Sequence, residues 1–148
     1  MLYRRWSTPE ELLLAALGDP VVGFGEFVAP DTGSLRGDLL FLLGRLARIL
    51  DEPRGRALHP LMTQFSTPPE LYARVKELVI DPNHKIVMDC LHAAVARGEA
   101  DPAAATPLVA SVGPRLLFSE ARDRATLTQG TVESIVDEVL LPLTAPRA

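Results

Sequence analysis

The sequence predicts an all-α chain folded as one bundle of about seven to eight helices. Three observations predict it. Apolar residues recur at helical spacing in runs opened by Ser, Thr or Pro and closed by Gly or Pro. Strand signals are poor, because β-branched runs are short and no hairpin dipeptide is flanked by alternating residues. A length of 148 residues with 47% apolar content suits a single domain with a closed core.

Ser7-Thr8-Pro9-Glu10 reads as a capping box opening a helix over residues 7–17, which Gly18-Asp19-Pro20 stops. Residues 18–33 hold Pro20, Gly23, Gly25, Pro30 and Gly33 and form a connector. Ser34 caps a helix over residues 34–50 that is apolar on nearly every side, so it is central and buried. A helix over 53–65 follows, bent at Pro60. Pro68-Pro69-Glu70 opens the next, Asp81-Pro82-Asn83 interrupts it, and a further helix ends at Gly98.

The last two helices, over residues 104–120 and 128–141, are the most informative. The first carries apolar side chains in several directions and only Ser111, Arg115 and Ser119 as a polar stripe. It therefore needs cover on two sides, and a second copy of the chain is expected to supply it. Val109, Val112, Gly113 and Leu116, with Val132 and Val136 of the final helix, are the expected dimer contacts. Gly113 is the point where two backbones would approach closely.

A net charge of −4 argues against binding nucleic acid through an overall field. The single cysteine, Cys90, excludes an internal disulfide and any multi-thiolate metal site, and the simplest compartment is the cytoplasm. The longest apolar stretch, such as residues 39–43, is far below the ~20 residues of a membrane helix. No Gly-rich phosphate loop follows a strand, and no serine or cysteine has an evident base partner, so enzyme chemistry and cofactors are not expected. Asp31-Thr32-Gly33 matches an acid-protease triplet, but a helix follows at once and a turn is the better reading. His84, Met88 and His92 recur at i, i+4, i+8. They sit at the edge of the buried face beside Lys85 and Asp89, and read as a solvated flank rather than a metal site.

Leu2-Tyr3-Arg4-Arg5-Trp6, with Leu12 six residues on, resembles the join between recognition helix and first regulatory helix in TetR-type transcription regulators. Residues 31–39 opening a helix, Ala96-Arg97-Gly98-Glu99 closing one, and Gly113-Pro114 with Arg115-Leu116-Leu117 resemble one branch of that family. Pro9 departs from it, standing where the family usually has a phosphate-approaching lysine. The resemblance implies that residues 1–6 are the remnant of a DNA-recognition helix, with Tyr3 a phosphate contact. Residues 7–148 would be the ligand-binding and dimerisation domain. It implies a homodimer that senses a small, largely apolar effector and controls DNA binding through dimer geometry, with operator DNA a partner only where a helix-turn-helix domain is present. A truncated paralogue that dimerises with a full-length regulator is the alternative.

The expected pocket lies among the helices of residues 34–50, 53–65 and 83–97, with the penultimate helix as a wall. Its expected lining is Phe41, His59, Met62, Phe65, Leu91 and Leu117: large apolar groups, an adaptable thioether and one imidazole to orient a ligand.

Overall fold

The computed structural model describes residues 28–53, 55–56, 68–123 and 127–147, together with residues 12, 15 and 16. Among the described residues there are four long helical runs and no strand. The first, α1, spans Leu35–Asp51; its N-cap is Ser34, whose hydroxyl accepts the Gly37 N–H at 3.0 Å. The second, α2, runs over residues 69–96 as Pro69–Val75, a π turn Lys76–Ile80, and Asp81–Ala96. A 3-10 turn, Pro102–Ala104, leads into α3, Pro107–Asp123. The last, α4, runs over 129–144 as Gln129–Ser134, a second π turn Ile135–Leu140, and Leu141–Thr144.

Among the described residues the count is four, against the seven to eight expected for the chain. The helices expected over 7–17 and 53–65 fall largely outside the described residues. The break expected at Asp81-Pro82-Asn83 does not occur, for a physical reason. Proline at 82 has no N–H to give the carbonyl one turn back, and its ring crowds that turn. The preceding π turn widens the helix by one residue: the Asp81 N–H reaches back five positions to the Lys76 carbonyl. Asn83 adds its side-chain amide to the Val79 carbonyl. The same device recurs before Pro142, where the Leu141 N–H reaches the Val136 carbonyl. Each X-Pro step is thus carried inside a continuous helix by a π turn directly upstream.

Helix α1 is the centre of the bundle, packed on α2, α3 and α4. Leu35, Leu39, Leu43, Ala47 and Leu50 bury its inner faces against Val87 and Leu91 of α2, Leu117 of α3, and Val132, Val136 and Leu140 of α4. At about 25 cal/mol per Å² of apolar area removed from water, this cluster is the main favourable contribution to folding.

The start of α1 and the end of α2 are tied together. Gly98, at φ +79°, closes α2: its N–H bonds the Val95 carbonyl while the Glu99 N–H bonds that of Ala94. Glu99 then faces the start of α1. The motifs 31–39 and 96–99, separate in sequence, meet there. Asp38, 1% exposed, accepts from the Thr32 N–H at 2.9 Å and the Thr32 hydroxyl at 2.7 Å. The Asp31-Thr32-Gly33 turn is therefore a helix-entry device.

Candidate functional site

The best candidate site lies where two helix irregularities face each other. The π turn of α2 presents Val79 and Ile80, and Pro114 interrupts the hydrogen-bond ladder of α3. Between them and α1 is an apolar slot of about 70 Å³. Leu42, Leu43 and Leu46 of α1 form its floor; Asn83, His84 and Val87 of α2 and Phe118 of α3 complete the walls. A wider groove of about 390 Å³ shares Ile80, His84, Pro114 and Phe118 with the slot and adds Tyr72, Arg115, Ser119 and Arg122. Slot and groove form one path, apolar within and cationic at its mouth.

His84 stands at the junction. Its pKa is lowered from 6.5, chiefly because burial disfavours the charged ring, then because the Arg115 guanidinium repels a second positive charge. Asp81 works in the other direction but is bridged to Lys76 at 2.9 Å. A neutral imidazole offers one donor and one acceptor. With Asn83, whose side-chain amide is given to the Val79 carbonyl, it makes up the polar part of a lining that is otherwise apolar.

Of the six expected lining residues, Phe41, Leu91 and Leu117 are described, and these three do not meet in the slot. His59, Met62 and Phe65 lie outside the described residues, as does Tyr3. Phe41 is 50% exposed and borders neither slot nor groove. Leu117 is fully buried in the core, and Leu91 lines a separate water-sized void of about 20 Å³. His84 corrects the solvated-flank reading of its stripe: it is half-buried on the slot, Met88 is partly buried, and only His92 is exposed. The missed signal was proline. Pro114 marks the distorted turn of α3 that borders the slot and Pro82 follows the π turn opposite it, whereas the pocket was expected beside Pro60, which lies outside the described residues.

A second surface feature involves α3 and α4. Gly113, Val132 and Val136, expected at a dimer interface, are buried inside the subunit. A Cβ on Gly113 would meet Leu140 at 3.1 Å and Leu43 at 3.2 Å, so the close approach it permits is to its own core. Val109 is partly buried among the core residues. Val112 and Leu116 are partly buried against the core in the same way, and share an i, i+4 stripe with Leu108, which is 71% exposed. On α4 the matching stripe is Ile135, Val139 and Leu143, the last two exposed. Leu116, Ile135 and Val139 border one groove between the helices, with Glu120, Ser134 and Glu138 at its edges. Among the described residues there is no cluster of three metal-ligating side chains, and no helix is long and apolar enough to cross a membrane.

The described helices thus form a body with an apolar slot on one side of α3 and an apolar stripe on another. Residues 29–139 match the family described as Tetracyclin repressor-like, C-terminal domain. An uncharacterized HTH-type transcriptional regulator of Mycobacterium tuberculosis (strain H37Rv) is 31% identical over 142 residues, covering 95% of this chain and 69% of the relative. A second from Mycobacterium bovis gives the same figures, 31% over 142 residues. The DNA-binding transcriptional repressor TetR of Mycobacteroides abscessus is 32% identical over 152 residues, covering 99% of this chain and 77% of that protein. No solved structure matches. The chain belongs to the TetR family of transcriptional regulators, and its described helices are those of the family's C-terminal domain.

Proposed function

We propose that this domain is the sensing and dimerising part of a TetR-type repressor, in which a small, largely apolar effector occupies the slot between α1, α2 and α3. One observation carries the proposal: α3 bears the slot on one face, through Pro114 and Phe118, and on another the stripe Leu108, Val112 and Leu116, of which Leu108 is exposed and the other two are partly buried. A ligand that moves α3 moves both. Pro114 leaves that helix short of one backbone hydrogen bond at the slot, where displacement costs least.

A second copy of the chain on the α3–α4 stripes completes a homodimer, and a change in its geometry would alter the spacing of DNA-reading heads where a helix-turn-helix domain is present. The naming of the Mycobacteroides abscessus relative as a repressor supports that direction of control.

The test is a thermal-shift screen of apolar metabolites and drugs against the wild type and Leu46→Trp, which fills the slot. A ligand at a hundredfold its Kd raises stability by ~2.7 kcal/mol, or roughly 5–10 °C in Tm for a domain of this size. Hits that stabilise the wild type and not Leu46→Trp support the proposal. Hits that stabilise both equally place the ligand elsewhere and overturn it.

A further inference from the structure

The mouth of the slot has a chemistry of its own. In a chain of net charge −4, the described lining of the groove holds Arg115, Arg122 and His84 but no Asp or Glu. The carboxylates nearby are engaged elsewhere: Asp81 with Lys76 at 2.9 Å, and Glu77 with Arg74 at 2.9 Å. Among the described residues neither Arg115 nor Arg122 is in a salt bridge. The two guanidiniums sit seven positions apart, two turns of one helix, and so project from the same side of α3. Ser119 lies between them and adds a hydroxyl to the same groove. Inward from this edge, the lining becomes aliphatic and aromatic within the length of Ile80, Pro114 and Phe118.

We propose that the effector is an amphipathic monocarboxylate whose aliphatic chain lies along the groove with its end in the slot and whose carboxylate is held at the mouth by Arg115, with Arg122 and Ser119 beside it. This assignment rests on the sensing role proposed above and narrows it to one ligand class. A carboxylate suits the guanidinium fork, which presents paired N–H donors in the plane of the two oxygens. A cation is disfavoured by the same two charges. A neutral head group loses the charge-assisted bonds but keeps the burial of its chain. That Arg115 already disfavours a positive charge on His84 shows its field reaching the junction of mouth and slot.

The experiment measures binding of decanoate, 1-decanol and decylamine to the full chain by titration calorimetry, with wild type, Arg115→Gln and the double variant Arg115→Gln/Arg122→Gln. The arginines are exposed, so folding is expected to survive and is checked by circular dichroism. Decanoate is expected to bind wild type about tenfold or more tighter than decanol, with decylamine weakest. The double variant should bring decanoate and decanol within about threefold of each other while leaving decanol unchanged. Equal binding of decanoate and decanol by wild type, with both lost in Leu46→Trp, overturns the carboxylate assignment and leaves the apolar sensing site standing. Failure of all three probes to bind wild type overturns both. Tighter binding of decylamine than decanoate overturns the charge argument outright.

Discussion

The Glu99 carboxylate accepts the Leu35 N–H at 3.0 Å across 64 residues of chain, and the same oxygen holds Arg97 at 2.8 Å. Leu35 is the first residue of α1, so its N–H has no partner within the helix. Glu99 supplies one from the end of α2 and sets a negative charge at the positive end of the α1 dipole. Arg97 in turn lies 3.8 Å from the buried Asp38. Glu99→Ala is expected to cost about 1–2 kcal/mol of unfolding free energy, as loss of a helix cap does. Asp38→Ala, which strips the Thr32 N–H of its buried acceptor, should cost about 1–3 kcal/mol. Chemical denaturation measures both, and a change within error for Glu99→Ala would show that the link contributes nothing.

Acidification should weaken the fold through His84. Its folded-state pKa lies below 6.5, so on lowering the pH the unfolded chain takes up the proton first. Stability contributed by the neutral, half-buried ring is therefore complete above 6.5 and falls as the pH drops below it, until the folded ring also protonates. His84→Gln removes that component. Denaturation curves over this range should be flatter for the variant, and equal slopes would remove His84 from the pH response.

Cys90 should be inert in the folded protein. It is 2% exposed, and burial pushes its thiol up to about 11, with Asp38 and Asp89 adding to the rise. Labelling with a thiol-specific disulfide reagent at neutral pH should follow unfolding, and its rate should climb with denaturant. Fast stoichiometric labelling of native protein would contradict this packing.

The stripe of Leu108, Val139 and Leu143 separates two effects that the sequence merged. Leu108→Glu with Val139→Glu should yield a folded monomer by sedimentation, because both side chains are exposed within the subunit. Gly113→Leu should instead destabilise the subunit by about 1–3 kcal/mol, since the space beside Gly113 is filled by Leu43 and Leu140. A Gly113→Leu protein of unchanged stability that dissociates into monomers would reverse that assignment.

These contrasts show what was legible in the sequence. Ser34, Gly98 and Thr128 announced three helix boundaries because a cap is a local event, written within about four residues. The central place of α1 was legible from its all-round apolar pattern, although Phe41 faces outward. Thr106-Pro107 was overlooked: Thr106 accepts the Val109 N–H at 3.2 Å and starts α3 later than residue 104. The site was harder to read. Whether Pro82 breaks a helix or is absorbed by a π turn depends on packing by α1 and α3, which no local window contains. Likewise, periodicity identified Val132 and Val136 as an apolar face but could not say that α1, rather than a partner, covers it.

The central claim is that occupancy of the slot moves α3 and with it the dimer. Spin labels attached at Lys85→Cys, an exposed position on α2, give the inter-subunit distance by pulsed electron paramagnetic resonance, and Cys90 is too buried to compete for label. The distance is measured with and without a saturating slot ligand, saturation being judged from the thermal shift. A shift of roughly 2 Å or more in the distance distribution, absent in Leu46→Trp, is the predicted result. An unchanged distribution at saturation in a protein that is dimeric would contradict the claim.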